Sequence, residues 1–154
     1  MHPNIRMIAN AAGFTESAGN LLILPCGAEN TYAIVSALDG NYHSVDTIIS
    51  VLTLCSVPSP ERTLRTLVHD ILKPAGLFLF YEHVQSPNPD VAWWQTFWTP
   101  VWKTLFDGCR LDRPTHIWVD SMPEGTWKEK NLWDKQDESE ENLFYHKVGK
   151  FVKS

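Results

Sequence analysis

Residues 45–84 read VDTIISVLTLCSVPSPERTLRTLVHDILKPAGLFLFYEHV, and this stretch decides the fold. An apolar, β-branched run from Val45 to Leu54 breaks at Ser56-Val57-Pro58. Apolar residues then recur at helical spacing, at Leu64, Leu67, Val68, Ile71 and Leu72, until Lys73-Pro74-Ala75-Gly76 stops the helix. A second apolar run, Leu77 to Tyr81, ends in Glu82-His83. Two continuous apolar runs of this kind fit strands buried on both faces. The helix between them fits a right-handed β-α-β crossover in a parallel sheet. The fold class is therefore α/β. Ligands of such sheets bind where strands deliver their carboxyl ends, which places Leu54-Cys55-Ser56 and Glu82-His83 at the candidate site.

Outward from this unit, Met1 to Ala12 reads as a short helix stopped by Gly13, and Leu21 to Leu24 as a short buried strand. Thr31 to Leu38 reads as a helix leading into the Asp39-Gly40-Asn41 turn. Ser59 suits the N-cap of the crossover helix and Pro60 its first position. Beyond His83 a Pro- and Asn-rich loop leads to Asp90 as an N-cap. Val91 to Phe106 follows as an aromatic helix interrupted at Pro100. Its Trp94, Phe97, Trp98, Val101 and Leu105 share helical spacing, which predicts a face laid on the sheet; the alternative is that one edge of the stripe lines an apolar pocket. Pro114 to Asp120 reads as a further short helix. Thr126 to Trp133 and Leu143 to Val152 read as an antiparallel terminal hairpin around an acidic loop, Asp134 to Glu141, expected to be solvated and unpartnered.

The length of 154 residues fits one domain with a real core, and the hydrophobic share of 44% excludes a disordered chain. A formal charge of −5 leaves no basic surface to collect phosphates, so nucleic acid is not an expected partner. The 3 cysteines lack CxxC spacing, and His43, His116 and His146 share no ligand spacing, so no metal is expected. No signal-peptide pattern and no run of membrane-spanning length is present, which makes a reduced, cytoplasmic, soluble protein the expectation.

In this order and spacing, the run Asp46 to Val57, the turn Leu72-Lys73-Pro74-Ala75-Gly76, Tyr81-Glu82-His83-Val84, Phe106 to Leu111 and the closing Val148 to Lys153 resemble a class I S-adenosylmethionine-dependent methyltransferase. The nearest likeness is to the ubiquinone-pathway and thiol-methylating, methyltransferase-like small-molecule groups. The resemblance implies a partial Rossmann-like fold, a parallel sheet ending in an antiparallel hairpin. It implies S-adenosylmethionine as cofactor, held by the turn after the third strand (Gly27, Ala28, Glu29) and the turn after the fourth (Leu54, Cys55, Ser56). It places Glu82 and His83 at the acceptor as catalytic residues, with Trp94, Trp98, Asp107 and Arg110 on the acceptor's wall and lid. The family's GxGxG turn and the acidic residue that holds the ribose have no counterpart here, and Ala75 replaces a glycine of the KPGG turn. The resemblance thus implies a chain truncated at its amino terminus and lacking the first two strands. The Val45–Leu54 strand edge is then open, and three explanations compete: a truncated sequence, a partner subunit that supplies the strands, or rearrangement into a dimer.

Methyl transfer from a sulfonium needs an aligned acceptor lone pair, exclusion of water, and a base where the acceptor is protonated. His83 suits the base, since imidazole titrates near neutrality, and Glu82 suits its orientation; the alternative is that both satisfy neighbouring polar groups. Cys55 and Cys109 lack a base at recognisable spacing and read as small buried hydrophobes. Arg110, Asp107, Asp112 and Arg113 either bind a polar acceptor group or pair with one another. The tryptophan-rich wall suggests O-methylation of a hydrophobic or aromatic secondary metabolite. The alternative is a methyltransferase-derived protein without cofactor, serving as a ligand-binding, cyclase or isomerase, or accessory subunit.

Overall fold

A computed structural model describes residues 3–154. The central unit comprises β1 (Val45–Val51), helix α3 (Pro60–Thr66) running into one π-turn (Leu67–Ile71), and β2 (Leu72–His83). β1 and β2 pair in parallel, as the crossover requires. Before it come α1 (Pro3–Ala11) and α2 (Thr31–Ala37); after it come α4 (Pro89–Leu105), α5 (Thr115–Asp120), β3 (Trp127–Asp134) and β4 (His146–Lys153). The sheet order is β1-β2-β4-β3, with β4 antiparallel to both neighbours. The α/β class and the terminal hairpin are as the sequence predicts. Met1 and His2 of the predicted first helix lie outside the described residues.

β2 buries every second side chain from Gly76 onward, so Phe78, Phe80 and Glu82 share one face. On that face Phe78, Phe80 and Phe151 meet Leu64, Val68 and Leu72 from the crossover, Val119 of α5 and Trp127 of β3. Only this face is closed. Ile49 and Val51 on β1 remain exposed, so the expectation of strands buried on both faces is corrected to one. Gly149 on β4 has a steric cause: a Cβ there would stand 2.2 Å from the Phe80 ring. β1 is the sheet's edge, paired to β2 alone, as its open edge was expected to be.

Four local expectations change. Leu21 to Leu24 forms no strand, because no neighbour offers it a ladder. Lys73 to Gly76 is absorbed into β2 as a bulge, with the register jumping from Val45↔Leu72 to Thr47↔Leu77 and Ala75 left-handed at φ 58°. Ser59 stands at the N-cap of α3 without a side-chain cap bond. α4 is capped by Asn88, whose Oδ1 accepts from Asp90 N at 3.0 Å, and it runs through Pro100 unbroken.

The face of α4 is the larger correction. Trp94, Phe97, Trp98, Val101 and Leu105 are all exposed, while Gln95 and Thr99 are buried. Gln95 anchors the helix: its Oε1 accepts from Ser86 N at 2.8 Å, and its Nε2 donates to the carbonyls of Val84 (3.1 Å) and Leu143 (3.0 Å). A single polar side chain thus fastens the helix start to two loop backbones that would otherwise be buried without partners. Among the described residues no helix is long and apolar enough to cross a membrane.

Candidate functional site

β1 ends at Val51, Leu52 turns the chain in the left-handed region (φ 48°), and Thr53 to Ser56 folds back over the end of β2. Under this turn lies Glu82, fully buried. Its Oε1 accepts from Ser50 Oγ at 2.7 Å, Thr53 N at 2.9 Å and Leu54 N at 3.1 Å, and Cys55 N reaches Oε2 at 3.4 Å. Converging N–H dipoles take the place of a counter-cation and hold the turn on the strand. Glu82 is thereby committed to the turn. It positions the site, and its oxygens are not free for an acceptor.

The loop after α4 closes the other side. Arg113 Nη1 donates to the carbonyls of Leu54 (2.7 Å) and Val57 (2.8 Å), and Arg110 N donates to Cys55 O at 3.0 Å. Gly108, at φ 85°, packs against the Ser56 carbonyl, where a Cβ would come to 3.2 Å. These ties bring Cys109 onto Cys55, with Sγ atoms 3.4 Å apart, and Cys109 Sγ lies 3.6 Å from His83 Nδ1. The ligand atoms of Cys55, His83 and Cys109 all fall within 4.8 Å of one another. The His83 ring is flanked by His146 (centroids 4.4 Å) and Phe144 (6.0 Å).

The two thiols are electrostatically unequal. The hydrogen bond it shares with Cys55 draws the Cys109 thiol below the usual thiol range, and the nearby His83 ring adds to the effect. Cys55, sharing that bond and buried, is pushed well above the usual thiol range. Sequence spacing missed this cluster because its members stand on two separate loops and the end of β2. The Trp102 indole N–H beside it is buried without a hydrogen-bond partner.

The other predicted residues are placed less centrally. Trp94 and Trp98 face outward on α4 and line no wall at His83. Asp107 is exposed in a left-handed turn, and Arg110 pairs with Asp112 at 2.9 Å, the intra-loop pairing foreseen as one alternative. Leu54 and Cys55 are buried and Ser56 is half-buried. Gly27 and Glu29 are exposed, the Glu29 carboxylate lies over Gly27, and Glu29 shares a recess of about 420 Å³ with Asn30, Pro58, Ser59 and Arg62. A recess of similar size, lined by Arg65, Val68, Met122 and Lys153, sits at the far end of β4 from His146 and so away from His83. The acidic loop is not unpartnered: Glu138 accepts from Lys135 and His146, and Asp134 pairs with Lys147 and Tyr145.

No protein-family model matches the chain. Over 78 residues it is 45% identical to a rat protein named thiol S-methyltransferase TMT1B, a match covering 50% of this chain and 31% of that one. Over 74 residues it is 43% identical to human thiol S-methyltransferase TMT1A, covering 46% of this chain and 29% of the relative. The matched segment thus spans about a third of these curated relatives' length. A crystal structure from Thermotoga maritima, described as a SAM-dependent methyltransferase and possible histamine N-methyltransferase, superposes with a TM-score of 0.58 at 17% identity. It covers 96% of this chain and 70% of that one. The fold is that of the Thermotoga methyltransferase structure, and about half of the chain is similar in sequence to proteins named thiol S-methyltransferases.

Proposed function

We propose that this chain carries the acceptor side of an S-adenosylmethionine-dependent methyltransferase whose acceptor is a thiol. The carrying observation is the Glu82-held turn at the carboxyl ends of the parallel pair β1 and β2, with His83 beside it. The named activity of the relatives, thiol S-methylation, supports the acceptor class. Acidity favours the same choice. A thiol ionises near about 8.5 and a phenol near about 10, so the His83 imidazole removes the thiol proton with less free-energy cost than the phenol's. The outward-facing Trp94 and Trp98 leave the aromatic wall that an O-methylated metabolite would use without support.

The residues present fit only one flank of a cofactor site. Leu54 and Cys55 keep their side chains buried, and the backbone donors of their turn already serve Glu82. The glycine-rich turn and the ribose-binding acid have no counterpart in the sequence. Completion by a partner or a second copy is part of the proposal. Bound S-adenosylmethionine supplies an electrophilic methyl group; this chain's part is to hold the acceptor at the strand ends and take its proton on His83.

The test is calorimetric titration of the monodisperse protein with S-adenosylmethionine and S-adenosylhomocysteine, followed by mass-spectrometric detection of S-adenosylhomocysteine formed with small thiols and with phenols. Saturable binding with thiol-dependent product that falls at least tenfold in His83→Gln is expected. No heat at millimolar ligand rules out completion of the site by a second copy and leaves methyl transfer to a complex with a partner, and product with phenols alone overturns the thiol reading.

A further inference from the structure

We propose that Cys55, His83 and Cys109 form a zinc site with three protein ligands and an open fourth position. The donor set is two thiolates and an imidazole, the combination that favours zinc over the harder divalent ions. The spacing agrees. With Zn–S near about 2.3 Å and Zn–N near about 2.0 Å, tetrahedral ligands stand roughly 3.8 Å (S···S) and roughly 3.5 Å (S···N) apart. The structure has Sγ–Sγ at 3.4 Å and Cys109 Sγ–His83 Nδ1 at 3.6 Å, with the third separation inside 4.8 Å.

Pre-organisation argues for a site and against chance proximity. Cys55 sits in the turn pinned by Glu82, Cys109 in the loop pinned by Arg113 and Arg110 N, and the His83 ring between His146 and Phe144. Rigid anchoring of each ligand by a further hydrogen bond or stacking contact is what metal affinity requires. A disulfide would use the two sulfurs and leave the imidazole's approach to Cys109 without purpose. In the metal-free chain His83 stays open to take an acceptor's proton as proposed above; with zinc bound it would be a ligand, and the ion would hold an acceptor thiol in the fourth position as thiolate.

Metal binding is read directly and does not depend on turnover. Reduced, chelator-treated protein is titrated with Co²⁺ and then Zn²⁺. One equivalent per chain is expected, with sulfur-to-cobalt charge-transfer absorption that Zn²⁺ abolishes. That absorption should fall by about half in Cys55→Ser and in Cys109→Ser, and affinity should drop tenfold or more in His83→Ala, while Cys26→Ser matches the parent. Circular dichroism of each variant confirms folding, and the unmodified protein alone decides the outcome if one does not fold. Absence of the charge-transfer band in the reduced parent, or undiminished intensity in both cysteine variants, overturns the site.

Discussion

Replacing Glu82 separates a positioning carboxylate from a proton-transferring one. In Glu82→Ala, Ser50 Oγ can rotate and Thr53 is exposed enough to reach water, but the buried N–H groups of Leu54 and Cys55 lose their acceptor. Each orphaned buried donor costs about 1–3 kcal/mol, and the vacated space adds to that, so a loss of about 3–5 kcal/mol is expected. Glu82→Gln keeps a carbonyl oxygen where Oε1 accepts three bonds and sets an amide against Cys55 N, the longest contact at 3.4 Å. It forfeits charge assistance and the long bond from Cys55 N, together about 1–2 kcal/mol. Urea unfolding monitored by tryptophan fluorescence reads both. With a slope of roughly 2 kcal/mol per molar, the midpoint falls by about 2 M for alanine and by less than about 1 M for glutamine. Glutamine retains any His83-dependent product formation, since no proton passes through Glu82. An alanine variant within 1 kcal/mol of the parent, or a glutamine variant that folds as the parent yet loses all turnover, refutes the reasoning.

Ala75→Gly is expected to stabilise the protein by about 1 kcal/mol, because the alanine is held at φ 58° where only glycine is unstrained. A thermal midpoint raised by about 2–4 °C checks it. Acid weakens the fold through His116, whose ionisation burial lowers from 6.5 to about 4 and whose Nδ1 has no partner. Its folded value lies below its unfolded one, so its stabilisation is full above about pH 6.5 and is lost as pH falls toward 4. Allowing for partial exposure, about 1 kcal/mol disappears between roughly pH 7 and 5.5, and His116→Leu flattens that slope in urea midpoints measured across the range.

Elements that depend on near neighbours in sequence were legible. The crossover strands, the helices and the terminal hairpin follow from periodicity and turn residues, and they appear within a few positions of where those signals put them. Leu21 to Leu24 has strand composition but no partner strand, and a ladder cannot form alone. Periodicity found the aromatic stripe of α4 but carries no information on which face meets the sheet. Gln95 decided that by supplying hydrogen bonds to Val84, Ser86 and Leu143, which no apolar face could. Glu82 and His83 were legible as candidate residues from their place at a strand's carboxyl end, but the commitment of Glu82 to the turn after β1 was not. It arises from N–H groups 28 or so residues earlier that converge on one carboxylate. Cys109 read as a buried hydrophobe because its partners lie on other loops.

The site rests on buried polar side chains more than on apolar packing. Glu82 holds the turn after β1, Arg113 ties that turn to the loop after α4, and Gln95 fixes the loops flanking that helix's start and β4's entry. Each is a charged or amide group binding backbone from elements distant in sequence, so each bond forms only when the sheet end has assembled. An apolar core tolerates small shifts, whereas a hydrogen bond to a backbone carbonyl fixes distance and direction. Such bonds set Cys55, His83 and Cys109 to within a few tenths of an ångström of tetrahedral ligand spacing along two of their three edges. Loosening any tie therefore degrades the site's geometry before it unfolds the chain. Variants at Arg113 should accordingly lose cobalt charge-transfer intensity while keeping their far-ultraviolet circular dichroism, which ordinary core substitutions would not do.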